Sequence, residues 1–111
     1  MTESALVAAI RKRFGALPGV RIFRMQSGVY MSPDGARHVR VGVPGMPDLL
    51  ALVGARYLWI ECKSSRGRTR TEQENFAAMV IGLGGAHAFC RSIEDAAGAI
   101  DGARRLAVDS T

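Results

Sequence analysis

The sequence predicts an α/β fold in which a mixed β-sheet has helices on both faces, in the order α-β-β-β-α-β-α. Apolar residues recur at helical spacing in three segments, and strand-like apolar stretches lie between them. Two of the strands form a hairpin, and a helix then crosses over to a further strand, so antiparallel and parallel pairing combine. A length of 111 residues suits a single domain, which we assign to residues 1–111.

The N-terminal segment predicts one helix followed by one strand. The helix is capped by Thr2 or Ser4 and ends near Phe14, before Gly15. Its apolar residues lie at helical spacing: Leu6, Val7, Ile10 and Phe14. The stretch Val20–Met25 alternates in polarity and predicts the first strand.

The middle of the chain predicts turns and then a β-hairpin. Residues 26–37 are rich in turn formers, and His38–Gly42 is an optional short strand before the turn at Pro44-Gly45. The apolar stretches Pro47–Val53 and Tyr57–Lys63 are separated by a tight Gly-Ala-Arg connection. Two strands joined so closely must pair antiparallel, which predicts the hairpin.

The C-terminal segment predicts two helices separated by a strand. Thr71 and Glu74 match a capping box that opens the first of these helices. Ala86–Arg91 predicts a strand, and Ser92 caps a last helix over Ile93–Ile100. We expect the tail after this helix to fray.

The charge balance indicates a nucleic-acid partner, although a solvated basic surface explains it as well. Lysine and arginine together number 15 against 10 acidic residues, which gives a net charge of +5. Only Lys12 and Lys63 are lysines, so arginine supplies the rest. The planar guanidinium fork of arginine matches phosphate oxygens, which favours the interpretation of a DNA-binding surface.

Cysteine use and hydropathy indicate a cytoplasmic protein without a membrane partner. Cys62 and Cys90 fall in strand-like stretches, which predicts buried thiols rather than a disulfide. No cysteine or histidine cluster has the spacing of a zinc site. Residues 1–13 lack the long apolar region of a signal peptide, and no apolar run is long enough to span a bilayer.

Three polar residues interrupt the predicted hairpin at one end. Asp48 begins an otherwise apolar strand, while Glu61 and Lys63 end its partner and share one face, because strand side chains alternate. In a hairpin the start of one strand lies beside the end of the other, so Asp48 is expected next to this pair. Whether it shares their face depends on the register, which the sequence leaves open.

This arrangement suits metal-assisted hydrolysis of a phosphodiester. Carboxylate oxygens are ligands for Mg²⁺ or Mn²⁺, which activate water and stabilise charge on a phosphoryl oxygen. The ammonium of Lys63 can orient the attacking water, help to deprotonate it or stabilise the transition state. The alternative is a turn aspartate beside a solvated Glu61–Lys63 ion pair, which is a common surface feature.

Two further polar residues face the predicted core at the starts of helices. Glu3 lies on the apolar stripe of the first helix and is either at a frayed end or a further metal ligand. Gln73 lies one turn before Phe76 on the apolar face of its helix. It either satisfies backbone N–H groups of the first turn or orients the lysine, the water or a phosphate.

In chain order these residues form a set of motifs: Gly45-Met46-Pro47-Asp48, Glu61-Cys62-Lys63 and Thr71-Glu72-Gln73. Together they resemble the VRR-NUC domain of the PD-(D/E)XK nuclease superfamily. The upstream stretch Arg24–Gly28 resembles that family's R-x-N-S-G stretch, with Gln26 in place of asparagine. Gly84-Gly85-Ala86 and Ser92–Ala96 are similar to the family's ending, so the resemblance runs from Glu3 to about Ala97.

The resemblance implies a PD-(D/E)XK restriction-endonuclease-like core and a role for each site residue. Asp48 and Glu61 would bind Mg²⁺ or Mn²⁺ with Glu3 as an additional ligand, Lys63 would serve the water, and Gln73 would support the site. The family's short stand-alone members, found in phages, look like homodimeric Holliday-junction resolvases. The resemblance therefore implies a homodimer that acts on branched or duplex DNA.

Arginines near the predicted site are candidates for phosphate contacts, which set affinity without reading sequence. The principal candidates are Arg66, Arg68, Arg70, Arg11 and Arg13. Each of them taken alone is also explained as a solvated surface charge. The sequence thus predicts a metal-dependent DNA endonuclease, and the alternative is a non-catalytic branched-DNA-binding module that retains the nuclease fold.

Overall fold

The protein is a mixed α/β domain in the computed structural model, which describes residues 1–109. Its elements in chain order are α1 (Glu3–Phe14), β1 (Val20–Arg24), β2 (Gly28–Met31), β3 (His38–Val41), β4 (Leu49–Val53), β5 (Arg56–Cys62), α2 (Thr71–Gly82), β6 (Ala86–Cys90) and α3 (Ile93–Asp109). Four strands form one sheet in the order β1-β4-β5-β6. The first three pair antiparallel, and β6 lies parallel to β5 across the α2 crossover. The predicted mixed sheet flanked by helices is confirmed.

The hairpin of β4 and β5 forms as its apolar pattern predicts. Leu49 pairs with Ile60 at one end and Val53 with Arg56 at the other, around a turn that begins at Gly54. The positive φ of Gly54, 60°, is a backbone conformation that glycine adopts without steric cost. This hairpin lies at the centre of the sheet and fixes the register for the polar residues at its ends.

The face of the sheet that packs on α1 and α3 holds the apolar core. Alternate residues of β4 and β5 point to this face, where they are almost completely buried. The core contains Leu6, Val7, Ile10, Phe14, Val20, Leu49, Ala51, Val53, Leu58, Ile60, Cys62, Cys90, Ala96, Ile100 and Ala103. Cys62 and Cys90 lie there as free, buried thiols, which confirms the prediction for them.

The opposite face of the sheet is covered only in part, by α2. Phe76 of α2 packs edge-on against Trp59, with ring centroids 5.2 Å apart. The register places Phe23, Leu50 and Trp59 side by side on this face. Phe23 is nevertheless 51% exposed, because α2 contacts β6 at the far side of the sheet. The helices therefore flank both faces, with unequal coverage.

A separate hairpin of β2 and β3 lies between β1 and β4 in the chain. We predicted turns over residues 26–37 with one optional strand after them, and the prediction was wrong for β2. The strand forms because Gly28–Met31 finds an antiparallel partner in β3, a pairing that local turn signals conceal. Ser32 closes the connection, since its hydroxyl donates to Asp34 at 2.6 Å and accepts from the Arg37 N–H at 3.0 Å.

The last helix is longer than its sequence pattern predicts. Ser92 caps it as expected, with its hydroxyl accepting from the Asp95 N–H at 3.0 Å. The predicted end at Ile100 is wrong, because α3 continues to Asp109. The tail that was expected to fray is helical up to that residue, and residues 110–111 lie outside the part of the chain that the structure describes. Ala103 is buried, and the Arg104 guanidinium donates to the Pro18 carbonyl at 3.0 Å, so tertiary contacts hold the extra turns. None of the helices in residues 1–109 has the length and apolar character needed to cross a membrane.

Candidate active site

Asp48 and Glu61 meet at the end of the β4–β5 hairpin. The last ladder pair is Leu49 with Ile60, so one step further places Asp48 opposite Glu61 on the same face of the sheet. The Asp48 N–H donates to Glu61 Oε2 at 3.2 Å, and the Cys62 N–H donates to Asp48 Oδ2 at 3.0 Å. Each carboxylate is therefore held by a backbone donor of the opposite strand, and the register that the sequence left open brings the two together.

Lys63 completes a buried polar cluster with Glu61. Its Nζ lies 3.8 Å from Glu61 Oε1, and both residues are only 4% exposed. The Lys63 N–H donates to the Cys90 carbonyl at 2.9 Å, which continues the parallel pairing beyond β5 and fixes the lysine backbone. The alternative of a solvated ion pair on the surface does not describe this arrangement. Burying these charges costs desolvation free energy, so a contribution to stability alone does not explain why the cluster is buried.

The two carboxylates have raised proton affinities. Burial raises the pKa of Glu61 to about 7, and the neighbouring Asp48 carboxylate adds to the rise. Burial also raises the pKa of Asp48, against the hydrogen bond that it accepts from the Cys62 N–H. Like charges held together out of water disfavour simultaneous ionisation, so a bound cation would relieve a real electrostatic cost here.

Gln73 joins this cluster to the start of α2. Its Oε1 accepts from the Arg70 N–H at 3.0 Å, and its Nε2 donates to Glu61 Oε1 at 2.9 Å. A backbone N–H can only donate, so it fixes the orientation of the amide, with the NH₂ group directed at Glu61. The alternative that Gln73 satisfies a backbone N–H at the start of the helix is confirmed. Its other bond goes to Glu61 rather than to the lysine, the water or a phosphate that the second alternative named.

The same hydrogen bond corrects the predicted helix cap. We expected Thr71 as N-cap with Glu74 reaching back, whereas the N-cap residue is Arg70 and Gln73 reaches back to it. Glu74 instead accepts from the Thr69 hydroxyl at 2.7 Å. The helix starts one residue earlier than the capping pattern indicates, because Gln73 occupies the position from which its amide reaches both groups.

Gly45 allows the loop before Asp48 to touch α2. Its φ is +81°, and a Cβ built there would lie 2.0 Å from the Glu72 carbonyl oxygen. No side chain fits at that distance, so only glycine permits this close approach. The Gly45-Met46-Pro47-Asp48 motif thereby fixes the strand that holds Asp48 against the helix that holds Gln73.

Glu3 lies near the carboxylates without joining them. Its side chain is exposed in the first turn of α1, behind the Thr2 cap, and it approaches Gly67 in the loop after β5. Its charge contributes to the raised pKa of both Asp48 and Glu61. Among the described residues, no three acidic, histidine or cysteine side chains group as a metal site.

The structure separates the candidate arginines into two groups. Arg66, Arg68 and Arg70 are exposed in the loop that follows β5 and Lys63. Arg11 and Arg13 are exposed in the last turn of α1. At a rise of 1.5 Å per residue they lie about 12 and 15 Å further along the helix axis than Glu3. Within the first group, Arg70 lines a cleft together with Gln73, which is bonded to Glu61.

Arg91 is a supporting residue that the sequence did not reveal. It follows β6 as Lys63 follows β5, and its Nη1 donates to the carbonyls of Ser64 and Gly67, each at 2.7 Å. These bonds fix the start of the loop that holds the exposed arginines. The available signal was its position, since parallel neighbouring strands bring their following residues to the same edge of the sheet.

The donor set fits a hard divalent cation such as Mg²⁺ or Mn²⁺. Mg²⁺ keeps several waters and is usually held by one or two carboxylates together with substrate phosphates, so it needs no third acidic side chain. Asp48 and Glu61 supply two carboxylates on one face, and Asp48 is half-exposed at the mouth of the cluster. Asp48 and Glu61 would therefore hold the ion, and substrate and water could complete its coordination.

Comparisons of the chain with protein-family models, with curated proteins and with solved structures found no match.

Proposed function

We propose that this protein is a divalent-metal-dependent DNA endonuclease of the VRR-NUC type, with a PD-(D/E)XK core. The observation that carries the proposal is a convergence at one end of the sheet. Asp48 directly precedes β4, Glu61 and Lys63 lie at and directly after the end of β5, and Gln73 lies in α2. Without the inserted hairpin, the elements α1-β1-β4-β5-α2-β6-α3 follow the order that the resemblance implies.

Each residue of the cluster has a defined task in phosphodiester hydrolysis. A Mg²⁺ or Mn²⁺ ion, when bound, supplies an activated water and stabilises charge on the phosphoryl oxygen. Asp48 and Glu61 would hold this ion with their carboxylates, which are kept in place by hydrogen bonds from backbone N–H groups of the opposite strand. Lys63 orients the attacking water and stabilises the developing charge, and burial strengthens its electrostatic effect. Gln73 keeps the Glu61 carboxylate aimed at the site.

The proposed substrate is DNA recognised through its backbone. The exposed Arg66, Arg68 and Arg70 lie in the loop that follows Lys63, and Arg70 lines a cleft with Gln73, so these arginines would contact phosphates. Branched DNA such as a Holliday junction is the substrate that the resemblance implies. A homodimer would present two such sites to two strands, as a symmetric junction requires.

Cleavage assays with matched variants test the catalytic proposal. A labelled four-way junction and a matching linear duplex are incubated with Mg²⁺ or Mn²⁺, together with wild type, Lys63→Ala or Lys12→Ala. Lys12 is the other lysine of the chain and is exposed on α1, so it controls for lost charge. We expect Lys63→Ala to lower the cleavage rate by about 100- to 10,000-fold and Lys12→Ala to leave it nearly unchanged.

Asp48→Asn and Asp101→Asn provide a second matched pair, because Asp101 is exposed on α3. Cleavage that survives in Asp48→Asn would contradict the proposal. Tight junction binding by wild type without any cleavage would instead indicate the non-catalytic binding module. Sedimentation of the 11.9 kDa chain reports whether the proposed dimer forms, and paired symmetric nicks in the junction would accompany it.

A further inference from the structure

A small cavity opens beside Asp48 on the side away from Gln73. Its volume is about 210 Å³, and it is lined by Arg24, Met25, Gln26, Ser27, Tyr30 and Asp48. These residues come from the end of β1, the start of β4 and the base of the β2–β3 hairpin. The Met25 N–H donates to the Asp48 carbonyl at 2.8 Å, which joins the two walls. We call this space the Arg24 cavity.

The lining of the Arg24 cavity contains more hydrogen-bond donors than negatively charged groups. A guanidinium, an amide and two hydroxyls offer donors, and Asp48 supplies the carboxylate. No carboxylate of residues 1–106, whose side chains the structure describes, lies within 4.0 Å of the Arg24 guanidinium, so this cation forms no salt bridge with them. Its charge nevertheless acts on Asp48, where it lowers the pKa against the larger effect of burial. Such a cavity suits an anion with several acceptor oxygens.

A larger cleft lies on the other side of the same chain segment. Its volume is about 580 Å³, and Arg40, Arg70 and Gln73 are among the residues that line it. Ser27 lines both spaces, so the base of the hairpin separates them. Glu61 is hydrogen-bonded both to the Asp48 N–H and to Gln73, which places the carboxylate cluster between the two spaces. A polyanion that crosses the cluster would meet arginines on both sides.

We propose that Arg24, Gln26, Ser27 and Tyr30 form a subsite that binds a DNA phosphate next to the scissile one. The inference rests on the proposed nuclease function, because it assigns the position of the cut strand. Arg24 binds the phosphate oxygens with its planar fork of donors, and the Gln26 amide supplies further donors. The Tyr30 hydroxyl, which donates to the Ser27 carbonyl at 3.5 Å, exchanges this long hydrogen bond for one to the phosphate. Arg24 is thus a substrate-positioning residue that sets where the phosphodiester lies relative to Asp48.

Binding assays in Ca²⁺ test the subsite independently of cleavage. The affinity of duplex or junction DNA is measured over a range of salt concentrations for wild type, Arg24→Ala, Arg24→Lys and Arg21→Ala. Arg21 lies on the same strand, but its guanidinium donates to the Val20 carbonyl at 2.8 Å, which makes it the matched control. We expect Arg24→Ala to reduce the salt slope by about one, with no such change for Arg21→Ala.

The size and location of the effect give further readouts. We expect Arg24→Ala to weaken DNA binding about tenfold or more, Tyr30→Phe about two- to tenfold, and Arg24→Lys to restore part of the affinity. DNA with one neutral methylphosphonate beside the cut site should bind wild type as weakly as unmodified DNA binds Arg24→Ala. For Arg24→Ala, the methylphosphonate should cause little further loss of DNA affinity.

The outcomes separate this proposal from the nuclease proposal. If wild type cuts DNA and Arg24→Ala keeps its affinity, salt slope and cleavage rate, the subsite is wrong and the nuclease stands. If no protein cuts DNA but Arg24→Ala still loses one phosphate contact, the nuclease proposal fails. Arg24 then binds a DNA phosphate, and its assignment beside a scissile phosphate is wrong. Thermal unfolding of each variant confirms that the affinity is measured on folded protein.

Discussion

The two faces of the four-stranded sheet differ in how completely the helices cover them. On the face of α1 and α3, Leu49 and Ile60 are 0% exposed. On the face of α2, Phe23 remains 51% and Tyr57 65% exposed. The carboxylate cluster lies on this open face, because Glu61 alternates with the buried Ile60 along β5. Complete coverage provides stability, whereas partial coverage leaves a polar cluster out of bulk water yet open to a substrate at one edge.

The largest effect is expected from truncating the closed face. Leu49→Ala removes a side chain with 0% exposure and leaves a cavity, so it should lower the free energy of unfolding by about 2–5 kcal/mol. Leu52→Ala changes the same residue type on the same strand, but on the open face where Leu52 is half-buried. Chemical denaturation compares the two variants, and equal losses would show that the faces are equally packed.

The stability of the protein should be almost as sensitive to a substitution where the loop between β3 and β4 touches α2. Gly45→Ala forces a Cβ to within 2.0 Å of the Glu72 carbonyl oxygen, and we expect a loss of roughly 3 kcal/mol with a displaced Gln73. Gly84→Ala is the control, since Gly84 has a φ of +85° but no atom within 4 Å of its Cβ position. That variant should lose only about 1–2 kcal/mol, for backbone strain alone.

The burial of Glu61 beside Asp48 should make the free energy of unfolding depend on pH. The pKa of Glu61 rises from 4.5 to about 7 on folding, so the folded state holds a proton that the unfolded state releases over this range. Stability should therefore decrease as pH rises through the window, by at most roughly 3 kcal/mol. Glu61→Gln should flatten the profile, as thermal unfolding at several pH values would reveal. Mg²⁺ should restore stability at the upper end if the ion binds there.

The smallest effect is expected for the amide that links the helix to the cluster. Gln73→Met keeps the length of the side chain but loses the bonds to the Arg70 N–H and to Glu61, for a loss of about 1–2 kcal/mol. Gln26→Met alters the other glutamine of the chain, which is exposed and should change stability by less than about 0.5 kcal/mol. Denaturation curves that coincide for these two variants would argue against the role of Gln73.

Local patterns were sufficient to predict the parts of the fold that form from neighbouring residues. The hairpin of β4 and β5 follows from alternating apolar residues around Gly54, and the Thr2 cap of α1 follows from its position. The strand β2 was missed because turn signals conceal its pairing with the neighbouring β3, and the C-terminal half of α3 was missed because it depends on a distant contact. Met31 pairs with His38, and Arg104 reaches the Pro18 carbonyl.

The same distinction holds for the candidate site. The spacing of Glu61 and Lys63 predicted a shared face, and the hairpin placed Asp48 beside them. The sequence did not predict the bonds that Arg91 makes to the loop after β5, because they join residues brought together by the α2 crossover. Contacts between elements far apart in the chain require the three-dimensional register, which residue types alone do not specify.

The hairpin of β2 and β3 has a consequence for the design of altered proteins. Its two ends leave the body at adjacent positions, since Arg24 pairs with Leu49 and the Met25 N–H bonds to the Asp48 carbonyl. Its strands pair mainly with each other and belong to no other sheet. Its tip is therefore separate from the four-stranded sheet, whereas its base lines the Arg24 cavity with Ser27 and Tyr30. Its tip near Ser32–Arg37 can accept an inserted tag or reporter while the four-stranded sheet and its core remain intact.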